Sequence, residues 1–249
     1  MTVSTLRVAL IYPELLGTYG DGGNALVLAS RARWRGLPTE VVEVRAGEPV
    51  PAGCDIYLFG GGEDEPQALA AAGMRTGGLA QAVRGGALVL AVCAGLQIVG
   101  TSFPGTDGHM HDGVGLVDLT THPGTPRAVG DLVVAPRGEF GLELLYGYEN
   151  HGGRTTLGPG LAPLGEVRRG MGNGTEGGDG VWGEVGDGLV VGTYLHGPVL
   201  AQNPGLADRL LTQLAPDLPP LAADHRRAGP AQSAITQLRS ARARQTGVR

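Results

Sequence analysis

Ala87-Leu-Val-Leu-Ala-Val-Cys93-Ala-Gly-Leu-Gln-Ile-Val-Gly100 is the stretch on which the fold turns. Its first six residues form a fully apolar run of strand length, which predicts a strand buried on both faces. A helix of small and apolar residues follows, so Cys93 stands at a strand-to-helix junction. Ala91 and Gly95 lie two positions to either side, the spacing of a nucleophile elbow, where a sharp turn lifts the reactive side chain and tolerates only small neighbours. The turn also brings electrostatics: backbone N–H groups and the positive end of the helix favour a thiolate, and the N–H of Ala94 is placed to hold an oxyanion. The same residues can be read as a core cysteine in a central strand. Cys54 has no such junction and reads as core.

Working outward, Leu6 to Tyr12 predicts a first buried strand and Gly23 to Arg35 a helix ended by Gly36. Glu40 to Val44 and Asp55 to Phe59 are further strands, separated by loops or helices, so crossovers join parallel neighbours. Asp64-Glu-Pro-Gln67 reads as a capped start, with Asp64 at the N-cap, of a helix running to about Val83. Phe59-Gly60-Gly61-Gly62 follows a strand placed beside the one carrying Cys93, and Gly61 is the candidate second oxyanion donor; an ordinary glycine turn is the alternative. From Gly113 to Gly197 the pattern changes to short β-prone pieces, Leu116 to Thr120, Asp131 to Ala135 and Leu189 to Tyr194. The fold class is therefore α/β, a mostly parallel central sheet flanked by helices with a strand-rich second half. Residues 1–215 form one domain with a helix over Asn203 to Leu214. Residues 216–249 form a Pro-joined tail carrying Arg226, Arg227, Arg239, Arg242, Arg244 and Arg249, either a partner-docking element or a solvated helix.

Composition removes several classes of function. The apolar run through Gly100 is shorter than a bilayer span, and the amino terminus lacks a basic segment followed by an apolar one, so a cytoplasmic protein with no membrane span is expected. Two cysteines make no disulfide framework. A net charge of −5 gives no footprint for nucleic acid. His109 and His111 have metal-like spacing but no further ligands, and no metal is assigned. A thiolate nucleophile needs a base, and His196 ends the apolar strand Leu189 to Leu195, at a strand terminus where α/β active sites collect. His151 is the second choice.

Taken together, Gly60-Gly61-Gly62, Val92-Cys93-Ala-Gly-Leu-Gln97 and Leu195-His196-Gly197 resemble the class I glutamine amidotransferases. Tyr148-Glu-Asn-His-Gly-Gly-Arg-Thr155 and Gly192-Thr-Tyr-Leu-His-Gly197 look like the cobyric-acid-synthase-like branch. The asparagine form, with Tyr19-Gly-Asp-Gly-Gly-Asn24 and Arg127-Ala-Val-Gly-Asp131, is similar to its GatD members over about residues 6 to 205. The resemblance implies that Cys93 attacks the amide of L-glutamine, that His196 handles its proton and that Arg127 binds substrate. Gln97, one turn into the elbow helix, either lines the glutamine pocket or fills a polar gap.

Two departures qualify that likeness. Most class I members place a glutamate two residues after the histidine, and here Pro198 stands there; the third acid must then come from elsewhere in the fold or from a partner, and the partner is favoured. No G-x-x-x-x-G-K-[ST] phosphate loop is present, since the chain has no lysine. ATP and Mg are accordingly expected only in a separate synthetase, and for GatD this resembles the Mur ligase MurT, with the D-glutamate residue of lipid II as acceptor. No cofactor is expected in this chain. Other acceptors, such as a cobyric-acid-like carboxylate, stay open. Gly20-Asp-Gly-Gly-Asn-Ala25 also matches a dinucleotide fingerprint, which would make an NAD-binding oxidoreductase, but Pro13 to Tyr19 separates the strand from its first glycine.

Overall fold

The structure is a computed structural model that describes residues 5–174, 177–222, 225–226 and 228–248, the side chain of residue 64 excepted. The capping role predicted for the Asp64 side chain, and the tail arginines Arg227 and Arg249, lie outside the described residues.

Four strands of the central sheet are apolar runs of the sequence, β1 (Leu6–Ile11), β3 (Ile56–Phe59), β4 (Leu88–Val92) and β12 (Gly188–Thr193), and β2 (Thr39–Val44) is the alternating segment at the edge. With β11 (Val181–Val185) they stand in the order β11-β12-β4-β3-β1-β2. All neighbours are parallel except β11 and β12, which form an antiparallel edge. Every residue of β3, β4 and β12 is buried, as two-sided cover by crossover helices demands. Helices α1 (Gly23–Arg33), α2 (Asp64–Arg75), α3 (Leu79–Arg84) and α4 (Ala94–Ile98) supply the connections between β1 and the second sheet.

The single helix predicted from Asp64 to Val83 is instead two, α2 and α3. Gly77 and Gly78 are the cause: a Cβ on either would meet the backbone of Val50 or Ala52 at 2.9 Å, so the chain bends here against the β2–β3 connection. Glu63, not Asp64, occupies the N-cap position of α2.

The second half builds a sheet from β5 (Ser102–Pro104), β6 (Met110–Asp112), β7 (Leu119–Pro136), β8 (Leu145–Leu157), β9 (Gly165–Arg169) and β10 (Gly178–Asp179). Of the short predicted pieces, all of Asp131 to Ala135 but only the last two residues of Leu116 to Thr120 lie in one long strand, β7, whose register with β8 shifts between Pro123 and Ala128. Prolines and glycine interrupt the pattern there without ending the strand. Helices α5 (Val199–Gln202), α6 (Pro204–Leu214) and α7 (Ala228–Thr246) close the chain. Two arginines of α7 bind the chain itself: Arg239 donates to Leu144 O at 2.7 Å and Asn203 Oδ1 at 3.0 Å, and Arg242 donates to Gly147 O at 3.4 Å.

Candidate active site

Cys93 and His196 meet because their strands are neighbours. β4 and β12 run parallel with Val92 opposite Thr193, so the residues that follow each strand emerge at the same end of the sheet. Cys93 is the N-cap of α4 with φ 52° and ψ −102°, a left-handed conformation that a non-glycine residue holds only under constraint, at a cost of about 1–3 kcal/mol. The constraint is tight. Cys93 N–H donates to Thr193 O at 2.9 Å, and Gly95 N–H donates to Gly60 O at 3.2 Å. A Cβ on Gly95 would come within 2.7 Å of Phe59 Cβ. This is the local geometry of a nucleophile elbow.

His196 leaves β12 through a two-bond bridge with β8: its N–H donates to Tyr148 O at 2.7 Å, and Tyr148 N–H donates to His196 O at 3.3 Å. The imidazole is 99% buried and lies against the Tyr19 ring, centroids 4.3 Å apart. Asp21 Oδ2 stands 3.5 Å from Nδ1, also buried. At that separation neither ring nitrogen forms a hydrogen bond within strict limits, so the Asp21 contact is an ion-pair approach. Burial alone would lower the pKa of the histidine. Asp21 and Cys93 outweigh it and raise the imidazole to about 9, so the cationic ring is favoured between a thiol and a carboxylate.

Of the two sources that Pro198 leaves open, elsewhere in the fold or a partner, the structure offers a candidate from the first: Asp21, in the loop after β1, is the carboxylate that faces the ring, where the sequence favours a partner. Pro198, where a glutamate was missing, packs on the start of α1: a Cβ at Gly23 would lie 2.5 Å from Pro198 Cγ. The loop that carries Asp21 is the one that mimics a dinucleotide fingerprint. Its signal in the sequence is an acid beside glycines at the carboxyl end of the first strand, where α/β sites gather.

Gly61 does not match its predicted use. Its N–H donates to Asp21 Oδ2 at 2.8 Å, so the carboxylate already holds this donor. The need for glycine is steric, since a Cβ would stand 2.5 Å from His196 Cε1. Ala94 opens α4, where first-turn N–H groups lack intrahelical acceptors. Gln97 is buried, donating to Tyr194 OH at 3.3 Å and accepting from Gln67 Nε2 at 2.9 Å, so its amide fills a polar gap beneath the elbow. His151 is held away from such a role by Glu149 Oε2 at 3.3 Å and by stacking on Tyr194 at 3.7 Å.

Arg127 is exposed and is tied to the site through Asn150 and Tyr19, residues of two quoted motifs to which the sequence assigned no role. Its Nε donates to Asn150 Oδ1 at 2.7 Å, and Asn150 Nδ2 donates to Tyr19 OH at 2.9 Å. The guanidinium is thus an exposed cation two side chains from His196. Among the described residues no group of three or more His, Cys, Asp or Glu is placed to hold a metal ion.

The model of the CobB/CobQ-like glutamine amidotransferase domain matches residues 7–204. The chain belongs to that family. Within it, the chain is 36% identical over 206 residues to the GatD subunit of lipid II isoglutaminyl synthase from Staphylococcus aureus, covering 80% of this chain and 79% of the relative. The corresponding subunit from Streptococcus pneumoniae is 34% identical, with 83% and 79% covered. A cobyric acid synthase from Sphingopyxis alaskensis is 29% identical, but only 35% of it is covered. The chain is thus a glutamine-hydrolysing amidotransferase of the GatD branch. A solved glutamine amidotransferase shares the fold at TM-score 0.54 and 18% identity, covering 84% of this chain and 98% of that one. Another, from Thermotoga maritima, does so at TM-score 0.51 and 15% identity, covering 97% and 98%.

Proposed function

We propose that this chain is the glutaminase subunit of a lipid II isoglutaminyl synthase, releasing ammonia from L-glutamine for a separate ATP-dependent, Mur-ligase-like partner of the MurT kind. The partner, which supplies ATP and Mg chemistry, amidates the D-glutamate residue of lipid II. The setting is the cytoplasm; no helix among the described residues is long and apolar enough to cross a membrane.

The observation that carries the reaction is the buried row of Cys93, His196 and Asp21 at the ends of adjacent strands and the first loop. Glutamine binds with its α-carboxylate toward Arg127, a charge-assisted anchor. The Cys93 thiolate attacks the side-chain carbonyl carbon, and the Ala94 N–H meets the oxygen that becomes negative. As the tetrahedral adduct collapses, the C–N bond breaks and the His196 imidazolium gives its proton to the departing nitrogen, which leaves as ammonia. His196, now neutral, takes a proton from water; the hydroxide equivalent attacks the thioester, and the C–S bond breaks to release glutamate. Thiolate and imidazolium are restored. Asp21 orients the ring through both halves and favours its cationic form at the start and end of the cycle.

Glutamate release by the wild-type chain, and by Cys93→Ser and His196→Ala variants, with and without a co-purifying synthetase, tests this reading. Both variants are expected to lose glutamate release in both settings. Undiminished release from either variant would overturn the assignment. With its acid in place, the isolated chain is expected to hydrolyse glutamine without the synthetase.

A further inference from the structure

Asp179 is fully buried, and the catalytic steps above do not use it. A carboxylate taken out of water is costly unless its oxygens are satisfied, and both are. Oδ2 accepts from Thr193 Oγ1 at 2.5 Å, and Oδ1 accepts from Tyr194 N–H at 3.1 Å. Thr193 Oγ1 in turn accepts Leu195 N–H at 3.1 Å. One carboxylate thereby fixes three consecutive residues that lead to His196. Thr193 also reaches the other half of the site, because its carbonyl receives the Cys93 N–H.

The loop that presents Asp179 is wedged against the same strand. Gly180 has φ +65°, and a Cβ there would fall 1.9 Å from Gly192 O. Asn173 clamps that glycine by accepting from Gly180 N–H at 2.8 Å and donating to Gly180 O at 2.9 Å. Leu164 N–H holds the Asp179 carbonyl at 2.9 Å. The carboxylate is thus delivered by a hydrogen-bonded framework to Thr193, which receives the Cys93 N–H and lies three residues before His196.

We propose that Asp179 is a positioning residue that sets the placement of His196 relative to Cys93 by locking Thr193 and Tyr194 at the end of β12. Burial pushes its carboxyl up to about 7; Glu149 adds to that rise and His196 opposes it, so the acid lies within electrostatic reach of the catalytic ring. The inference rests on the glutaminase reading for its kinetic readout, but the geometry also makes a claim about Cys93 reactivity that does not need glutamine.

The test uses the full chain with Asp179→Asn, Thr193→Val and Thr193→Ser. Asparagine keeps the shape but turns the acceptor facing Thr193 Oγ1 into a donor, so the short bond that Thr193 now donates is lost and its hydroxyl proton must turn elsewhere. Valine removes the hydroxyl, and serine retains it. Misplacement of a reacting group by about 1 Å costs on the order of a hundredfold. Asp179→Asn and Thr193→Val are expected to lower kcat by about ten- to a hundredfold with KM changed less than about twofold, and Thr193→Ser to stay near wild type. Alkylation of Cys93 by iodoacetamide, located by mass spectrometry, is expected to slow in the same two variants. Should Asp179→Asn fail to fold, the valine–serine pair decides. Unchanged kcat and alkylation, a change in KM alone, or equal losses from serine and valine would each overturn the proposal. If wild type hydrolyses no glutamine, the function proposed above fails, and the alkylation series still judges Asp179.

Discussion

Replacing Asp21 with asparagine isolates the charge beside His196 while leaving the loop intact. The asparagine oxygen can still accept from Gly61 N–H, which Asp21 Oδ2 now holds at 2.8 Å, so the fold around the glycine turn is retained. What disappears is the negative charge 3.5 Å from Nδ1. The imidazole is raised from 6.5 to about 9 against the opposing effect of burial, by Asp21 and Cys93 together. A rise of that size corresponds to ~3 kcal/mol in favour of the cation, at about 1.4 kcal/mol per pH unit. Asp21 supplies part of that preference, so its removal is expected to lower kcat, by on the order of tenfold for each pH unit of it that is lost. The direction in pH follows. Without the carboxylate His196 gives up its proton at lower pH, so the alkaline limb of kcat moves acidward. Glutamate release measured from acid to alkaline pH for both proteins reads both effects. Equal kcat with an unmoved alkaline limb would show that the orienting acid is not Asp21.

Three further outcomes are expected. Gly61→Ala places a methyl 2.5 Å from His196 Cε1 and should lower kcat at least about tenfold with circular dichroism unchanged; wild-type kcat would refute the steric account. Arg127→Ala removes the exposed cation and should raise KM for glutamine by about ten- to a hundredfold with a smaller effect on kcat, as loss of a charged hydrogen bond worth about 1.5–3 kcal/mol implies. Because the folded-state pKa of His196 lies above its unfolded value, its stabilisation is complete below about 6.5 and is lost as pH rises through about 9. Urea unfolding across that window should show a slope that His196→Gln removes, and parallel curves for the two proteins would contradict it.

Much of this architecture is legible in sequence because it is local. The apolar runs of β3, β4 and β12 identify buried strands, and the small residues around Cys93 announce an elbow. His196 is readable for the same reason, as the polar end of an apolar strand. Asp21 is not, because its partner lies at the far end of the chain and only the sheet order brings them together. The same holds for Asp179, an acid in a glycine-rich stretch whose meaning depends on Gly180 packing on β12. The break between α2 and α3 carried a local signal, the turn-forming pair Gly77-Gly78, and the close approach to Val50 and Ala52 that makes the pair necessary is the part no local pattern displays. Gln97 sits in the elbow helix as expected, but whether its amide faces substrate or core depends on Gln67 and Tyr194, which arrive from α2 and from beyond β12.

The contact between Gly23 and Pro198 restricts how this active site can be rebuilt. Residue 198 is the usual seat of the orienting acid, but here its ring is packed against the start of α1. Grafting a glutamate there would remove that packing and introduce a second carboxylate near a histidine already facing Asp21. Deleting Asp21 first would leave the imidazole without an acid. The two arrangements are separated by unfavourable single steps, so an engineer who wants to exchange one for the other must recast the first loop and the residues after the histidine together.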